Sequence, residues 1–352
     1  LSPPQSRLKR HRFPDAKRFS FVKIHLVNMR QAALDAMLEL YRRAEPKLHV
    51  LVDDPDAAEM ILFVGSWDAE ASQVRMHPLP RRYPQKCFVY FDADGFVPLL
   101  RGVYVNAEKA WLLDSRRAES QAFIDALNPM TVPQPDAAKR YLFTFAGGST
   151  SLLRKKLYKL DFGRGDVVVR NTSDYFHWDA SQAGREQRQK EYAATIAASH
   201  FALCPRGASA GGQRLFEVMQ MGVAPVLISD ALKLPAGPDW KSFLIQVPER
   251  KIAQLVELLE PHRAESAERG RLARLAWERW FAPPVVFNNV VAACARTGET
   301  ARIAERWVQP WWGFMVWKWR LRGQLRGAAK AVVLRVFKLL GLKFIYQLNT
   351  RN

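Results

Sequence analysis

Arg206 and Gly207, a run of small residues to Gly212, and then Arg214 and Glu217 lie within CPRGASAGGQRLFEVMQMGVAPVLISD, residues 204–230. A guanidinium just past a strand can neutralise a phosphate or pyrophosphate through paired hydrogen bonds. Glu217 follows Arg214 by three residues on the next predicted helix, so the two share a face. Its carboxylate can accept from two sugar hydroxyls. The plainer reading of the same spacing is an exposed pair worth about 0.2–0.5 kcal/mol. Gly207, Gly211 and Gly212, with Ser209 among them, suit either positive φ or the close approach of a ligand. A second stretch, FTFAGGSTSLLRKKL (residues 143–157), runs from a strand through Gly147, Gly148 and Ser149 into a helix carrying Arg154. Hydroxyl residues cap such a helix start, and its free N–H groups favour an anion. Gly-Gly-Ser is also a common strand-to-helix turn. GxxxxGK[ST] is absent, so this is no Walker loop.

Both stretches need strands that deliver them to one edge of a sheet. Short apolar runs alternate with helical patterns along the chain, which predicts α/β architecture with mainly parallel sheets. FVKIHLV (21–27), LHVLV (48–52), ILFV (61–64), CFVYF (87–91) and GVYV (102–105) read as strands, with a helix from Gln31 to Arg43. NPMTVPQPDAAKR (128–140) has three prolines and reads as a linker. Alternation resumes with YLFTF (141–145), DVVVR (166–170), FALC (201–204), APVLI (224–228) and FLIQV (243–247). Helical patterns fall at about 150–160, 185–199, 212–221 and 249–260. The resulting division is a basic N-terminal segment 1–20, an α/β domain 21–130, a linker 131–140, a second α/β domain 141–282 and a helical tail 283–352. In such sheets ligands sit beyond the carboxyl ends of the strands, where both glycine-rich stretches fall.

SHFALCPRGASAGGQRLFEVMQMGVAPVLISDALKLP, followed by DWKSFLIQVPERKIAQLVELL, resembles the C-terminal core of exostosin-like glycosyltransferases over about seventy residues. RYLFTFAGGSTSLLRKKL is similar to that family's preceding strand and helix, and DDPDAAEMILFV more weakly to its N-terminal segment. The resemblance implies a GT-B architecture: two Rossmann-like domains facing across a cleft, the second binding a nucleotide sugar and the first the acceptor. It implies inverting transfer, typically from a UDP-sugar, with no cofactor and no essential metal. Carried over, Arg206 would contact the diphosphate, Arg214 would support it and Glu217 would hold the ribose, while Gly207, Ser209, Gly211 and Gly212 shape the loop. Fixed cations there would stabilise the charge that builds on the leaving group. A base is needed near the acceptor hydroxyl. Asp68, Asp92 and Asp94 fall just after predicted strands, and for any single one a turn residue is the more ordinary reading. FDADG (91–95) spells an Asp-x-Asp motif, but in the expected acceptor domain rather than at the donor. The acceptor would be a glycan or lipid-linked glycan in surface polysaccharide synthesis. A fucosyltransferase-like enzyme using a GDP-sugar shares part of the pattern, but has Glu-Asn where this chain has Arg206-Gly207. The remaining alternative is an inactive GT-B scaffold that binds membrane or nucleic acid.

The charge balance points to an anionic partner. The 352 residues carry a formal net charge of +19. From Arg306 to Asn352 there are ten Lys or Arg and no Asp or Glu. Trp311, Trp312, Trp317 and Trp319 lie there, followed by an apolar stripe at helical spacing flanked by Arg322, Arg326 and Lys330. This pattern predicts a basic amphipathic tail on an anionic membrane surface; the alternative is a helix packed on the core with solvated cations. No helix-turn-helix, zinc-finger or RNP-type pattern supports nucleic acid. No apolar run reaches spanning length. The basic N-terminus lacks an apolar signal core and an initiator Met, which suggests a truncated or processed start. The three cysteines are widely spaced and suit a reducing compartment. Together these features predict a cytoplasmic protein on the inner face of the cell membrane.

Overall fold

The computed structural model describes residues 21–65, 71–92, 99–109, 115–124, 128–174, 184–318 and 321. Strands β1 (Val22–Asn28), β2 (His49–Leu51), β3 (Met60–Gly65), β4 (Cys87–Phe91), β5 (Gly102–Tyr104) and β6 (Ala118–Glu119) form one sheet in the order β2-β1-β3-β4-β5-β6. Strands β7 (Tyr141–Gly147), β8 (Val167–Asn171), β9 (Ser199–Pro205), β10 (Ala224–Ile228) and β11 (Ile245–Gln246) form a second, ordered β11-β10-β9-β7-β8. The strand pairs in both sheets are parallel. The central strands β3, β4 and β10 are apolar without alternation and buried along their whole length, as helices on both faces of a parallel sheet require. Edge strand β8 instead ends in exposed Arg170 and Asn171.

Helices α1 (Gln31–Arg43), α2 (Ala71–Met76) and α3 (Leu79–Arg82) accompany the first sheet. Helices α4 (Leu152–Leu157), α5 (Arg185–Ala197), α6 (Arg214–Met221), α7 (Trp240–Phe243), α8 (Leu255–Leu259) and α9 (Ser266–Trp280) accompany the second. On α1, Ala33, Met37 and Leu40 turn one stripe into the core, while Arg42 and Arg43 complement the helix C-terminus. Helix α6 stops at Gly222, whose φ of 72° is the left-handed conformation that favours glycine. The chain can then enter β10 two residues later, which fixes α6 directly beside its strand.

The structure corrects the expected tail. Helix α10 (Pro283–Thr300) is no surface element: Val286, Phe287, Val290 and Cys294 pack with Ile24, Met37 and Leu62 on one face of the first sheet. After α11 (Glu305–Val308), residues 312–318 are helical and cover the opposite face, where Val308, Trp312, Met315 and Val316 join Ile61, Phe63 and Val89. Trp312, expected at a membrane, is therefore a core residue, because its indole is needed to roof that face. A fully buried ion pair fastens the segment: Arg117 meets the two Glu305 carboxylate oxygens at 2.7 and 2.9 Å. Trp319, Arg322, Arg326 and Lys330 lie outside the described residues.

The two sheets meet through the segments that leave β5 and β10. The Lys109 amide donates to Ala231 O and the Lys233 amide to Ala107 O, each at 2.8 Å, around an antiparallel bridge between Glu108 and Leu232. The Gly211 amide donates to Asn106 Oδ1 at 3.2 Å. The Lys233 ammonium donates to Ser115 O at 3.1 Å and Ala118 O at 2.7 Å. Two parallel α/β units are thus joined at loops on their carboxyl edges, an arrangement consistent with GT-B.

Candidate active site

In the second sheet β7 leads outward to β8, and the chain then crosses back to β9 on the other side of β7. That reversal puts a topological switch point between β7 and β9, where open α/β sheets bind ligands. A cleft of about 1340 Å³ opens there, and its walls include Gly147, Gly148, Ser149, Arg206, Arg214 and Glu217. Arg154, Gly211 and Gly212 also line it. Both glycine-rich stretches therefore converge on one site, as their positions after strands predict. Gly207 and Ser209 belong to the same loop without being part of the cleft wall.

Arg214 and Glu217 are not the exposed pair of the plainer reading. Glu217 is only 7% exposed. The two side chains communicate through Tyr192 of α5: Arg214 Nε donates to the Tyr192 hydroxyl at 3.0 Å, and that hydroxyl donates to Glu217 Oε2 at 2.6 Å. The second carboxylate oxygen accepts from the Asn128 amide at 3.4 Å. Burial raises the Glu217 pKa, while the Tyr192 hydrogen bond and the Arg214 charge pull it back down. Arg214 also donates to Ala146 O and stacks over the Phe145 ring, 4.4 Å from its centroid. Its Nη1 is buried without a hydrogen-bond partner among the described residues, a donor that an anionic ligand would satisfy.

Arg154 has a different job. Its three nitrogens donate to the carbonyls of Arg206 (3.1 Å), Gly148 (3.2 Å) and Pro205 (3.0 Å), tying the end of β7 to the end of β9. Burial and the neighbouring Arg214 push its pKa down to about 10, so it remains a cation at neutral pH. Ser151 caps α4 by accepting from the Arg154 amide at 3.2 Å and donates to Arg206 O at 3.2 Å. The Ser149 amide donates to Ser173 Oγ at 2.9 Å. Arg206 stands at the rim, its Nε paired with Glu249 Oε1 at 2.7 Å. Glu249 also accepts from the Asp230 amide at 3.3 Å.

The glycines divide by role. None of Gly207, Gly211 and Gly212 has positive φ, so the reason for glycine is space. A Cβ on Gly211 would fall 2.5 Å from Asn106 Oδ1, which makes this residue part of the joint between the sheets. A Cβ on Gly212 would meet nothing within 4 Å, leaving its backbone open toward the cleft.

Of the candidate bases, Asp92 follows β4 and its amide donates to Gly65 O at 3.0 Å, at the carboxyl edge of the first sheet. It does not line the cleft. Asp68 and Asp94 lie outside the described residues. Sequence reasoning missed Tyr192, which is 22 residues from Arg214 and shares no spacing signal with it. It gave no role to Glu249, which it met only as the end of the DWKSFLIQVPE stretch that carries the family resemblance.

A parallel α/β sheet with cationic side chains at its switch point defines a class of fold suited to an anionic ligand. Residues 120–261 match the Exostosin GT47 domain, and this span holds the whole cleft-bearing sheet. The chain is 33% identical to Exostosin-1 of Drosophila melanogaster over 159 residues, covering 41% of this chain and 21% of that protein. It is 34% identical to the Exostosin-1 homolog of Caenorhabditis elegans over 129 residues, covering 34% and 33%. It is 36% identical over 78 residues to the probable glucuronoxylan glucuronosyltransferase IRX7 of Arabidopsis thaliana, covering 22% and 17%. The chain thus spans a third or less of the length of these relatives. Over the matched residues the chain is thus similar to exostosin-type glycosyltransferase domains.

Proposed function

We propose that this protein is an inverting glycosyltransferase that moves a sugar from a nucleotide-sugar donor, UDP-linked, to a glycan or lipid-linked glycan acceptor during surface polysaccharide synthesis. The observation that carries the reading is the coincidence of the exostosin-like span with a cleft where Arg206, Arg214 and Glu217 converge. The acceptor hydroxyl oxygen attacks the anomeric carbon, the bond from that carbon to the diphosphate oxygen breaks, and its electron pair leaves on the diphosphate. Arg206 and Arg214, through its open Nη1, receive that charge in this reading. Glu217, held by Tyr192, takes the ribose hydroxyls. The acceptor proton passes to a carboxylate of the first domain, with Asp92, Asp94 and Asp68 as the candidates. No resident metal takes part, so chelation with EDTA leaves turnover unchanged. The three cysteines are buried and free, which supports a reducing cytoplasmic setting.

Thermal stabilisation by a panel of UDP-, GDP- and CMP-sugars tests the donor. A melting shift confined to UDP-sugars is expected, and proton NMR of the product should show inversion at the anomeric carbon. A folded protein that responds to no nucleotide sugar would overturn the reading.

A further inference from the structure

Residues 305–318 carry apolar side chains on two opposite sides. Val308, Trp312, Met315 and Val316 are buried against the first sheet. Trp307, Trp311, Phe314 and Trp317 point the other way and are 64%, 57%, 50% and 56% exposed. The outward aromatics recur at spacings of four, three and three residues, and the last three touch in series: ring centroids lie 6.3 Å apart for Trp311 and Phe314 and 5.8 Å for Phe314 and Trp317. A helix that is apolar all round is covered on both sides, and a contiguous exposed aromatic face marks an interaction surface.

The charge around this face selects the partner. Arg75 of α2 lies beside the segment, with its guanidinium 3.9 Å from where a Cβ on Gly313 would stand, and Arg75 and Arg81 share a cavity of about 470 Å³ with Pro310, Trp312 and Gly313. Met76, 86% exposed, extends the apolar surface next to them. Arg306 sits over the Trp307 ring at 5.4 Å, and Lys318 is exposed at the far end. Glu305, the acidic residue of the segment, is fully buried and paired with Arg117. Beyond it the chain has no Asp or Glu as far as Asn352. Exposed Trp rings flanked by cations match the depth profile of an anionic bilayer surface, with aromatics at headgroup level and Arg or Lys at the phosphates. No helix among the described residues is long and apolar enough to cross a membrane.

We propose that this outward face, Trp307, Trp311, Phe314 and Trp317 with Arg75, Arg81, Arg306 and Lys318, seats the first domain on the surface of an anionic membrane. The inward stripe makes the contact rigid, because the same short segment is part of the domain's core. The proposal is independent of glycosyl transfer.

The test is co-sedimentation of the full chain with vesicles of phosphatidylcholine and phosphatidylglycerol at three to one, and with phosphatidylcholine alone. Binding to the anionic vesicles with a blue shift of Trp emission is expected. The combined variant Trp307→Ser, Trp311→Ser, Trp317→Ser should lose more than about tenfold in partitioning with an unchanged circular dichroism spectrum. Because those side chains are exposed, the domain should fold without them; Arg75→Glu with Arg81→Glu, which leaves the aromatics in place, should also weaken binding. Wild-type protein that ignores anionic vesicles overturns the proposal. So does undiminished binding of the triple variant, which would assign the contact to residues beyond 318 alone. A dimer in sedimentation equilibrium that the triple variant abolishes, without vesicle binding, would give the face to a second copy of the chain and equally overturn it.

Discussion

The Tyr192 hydroxyl donates to Glu217 Oε2 at 2.6 Å while accepting from Arg214, so one phenol sets both the position and the ionisation of the cleft carboxylate. Hydrogen bonds to charged groups contribute about 1.5–3 kcal/mol. Tyr192→Phe should therefore raise KM for the donor by about tenfold or more and lower kcat less. Without the hydroxyl the Glu217 pKa, already raised by burial, rises further. The acidic limb of the kcat/KM profile should move to higher pH. An unmoved limb with an unchanged KM would show that Tyr192 is only packing.

Arg206 is paired with Glu249 at 2.7 Å, which aims its guanidinium along the rim of the cleft. Arg206→Ala should cut kcat by about a hundredfold or more with an unchanged melting temperature. Glu249→Gln keeps the cation and one acceptor, so its loss should be clearly smaller. Steady-state kinetics on both variants decides between a chemical and a structural role for the arginine.

The Arg117–Glu305 pair is 1% and 0% exposed. Removing one partner leaves an uncompensated buried charge, a loss of about 3–5 kcal/mol. Glu305→Ala should accordingly lower the urea midpoint strongly. Arg117→Met with Glu305→Leu should recover much of the difference, because replacing both charges by apolar groups restores packing without stranding an ion.

His49 is 3% exposed, and burial pushes its pKa down to about 4. The unfolded chain takes up a proton near pH 6.5, whereas the folded protein resists until about pH 4. Stability is thus full above pH 6.5 and is lost as the pH falls toward 4. Urea melts at a series of pH values should show this slope, and His49→Leu should flatten it.

Several strands were legible because a buried parallel strand is an uninterrupted apolar run; APVLI matches β10 residue for residue. The site loop was legible because Gly, Arg and Glu crowd the space after a strand. What remained hidden depends on distance or on a second surface. Tyr192 reaches Arg214 only through the packing of α5 beside α6. Trp312 and Trp311 adjoin in the sequence, yet one is 4% exposed and the other 57%. In a segment apolar on two sides, periodicity alone does not say which side meets protein. The burial of α10 was missed for the related reason that its apolar face fits either a core or a lipid surface.

The first sheet begins at Val22, yet its two faces are completed by residues as late as 286–316. Chains emerge from the ribosome in order, and domains tend to fold as they emerge. Here the second domain can close before the first has received its cover, so of the two sheets the one made first is the last to be finished. A polypeptide stalled or clipped before Pro283 would hold its cleft-bearing sheet while leaving the other one bare, the kind of nascent product that chaperones and proteases recognise.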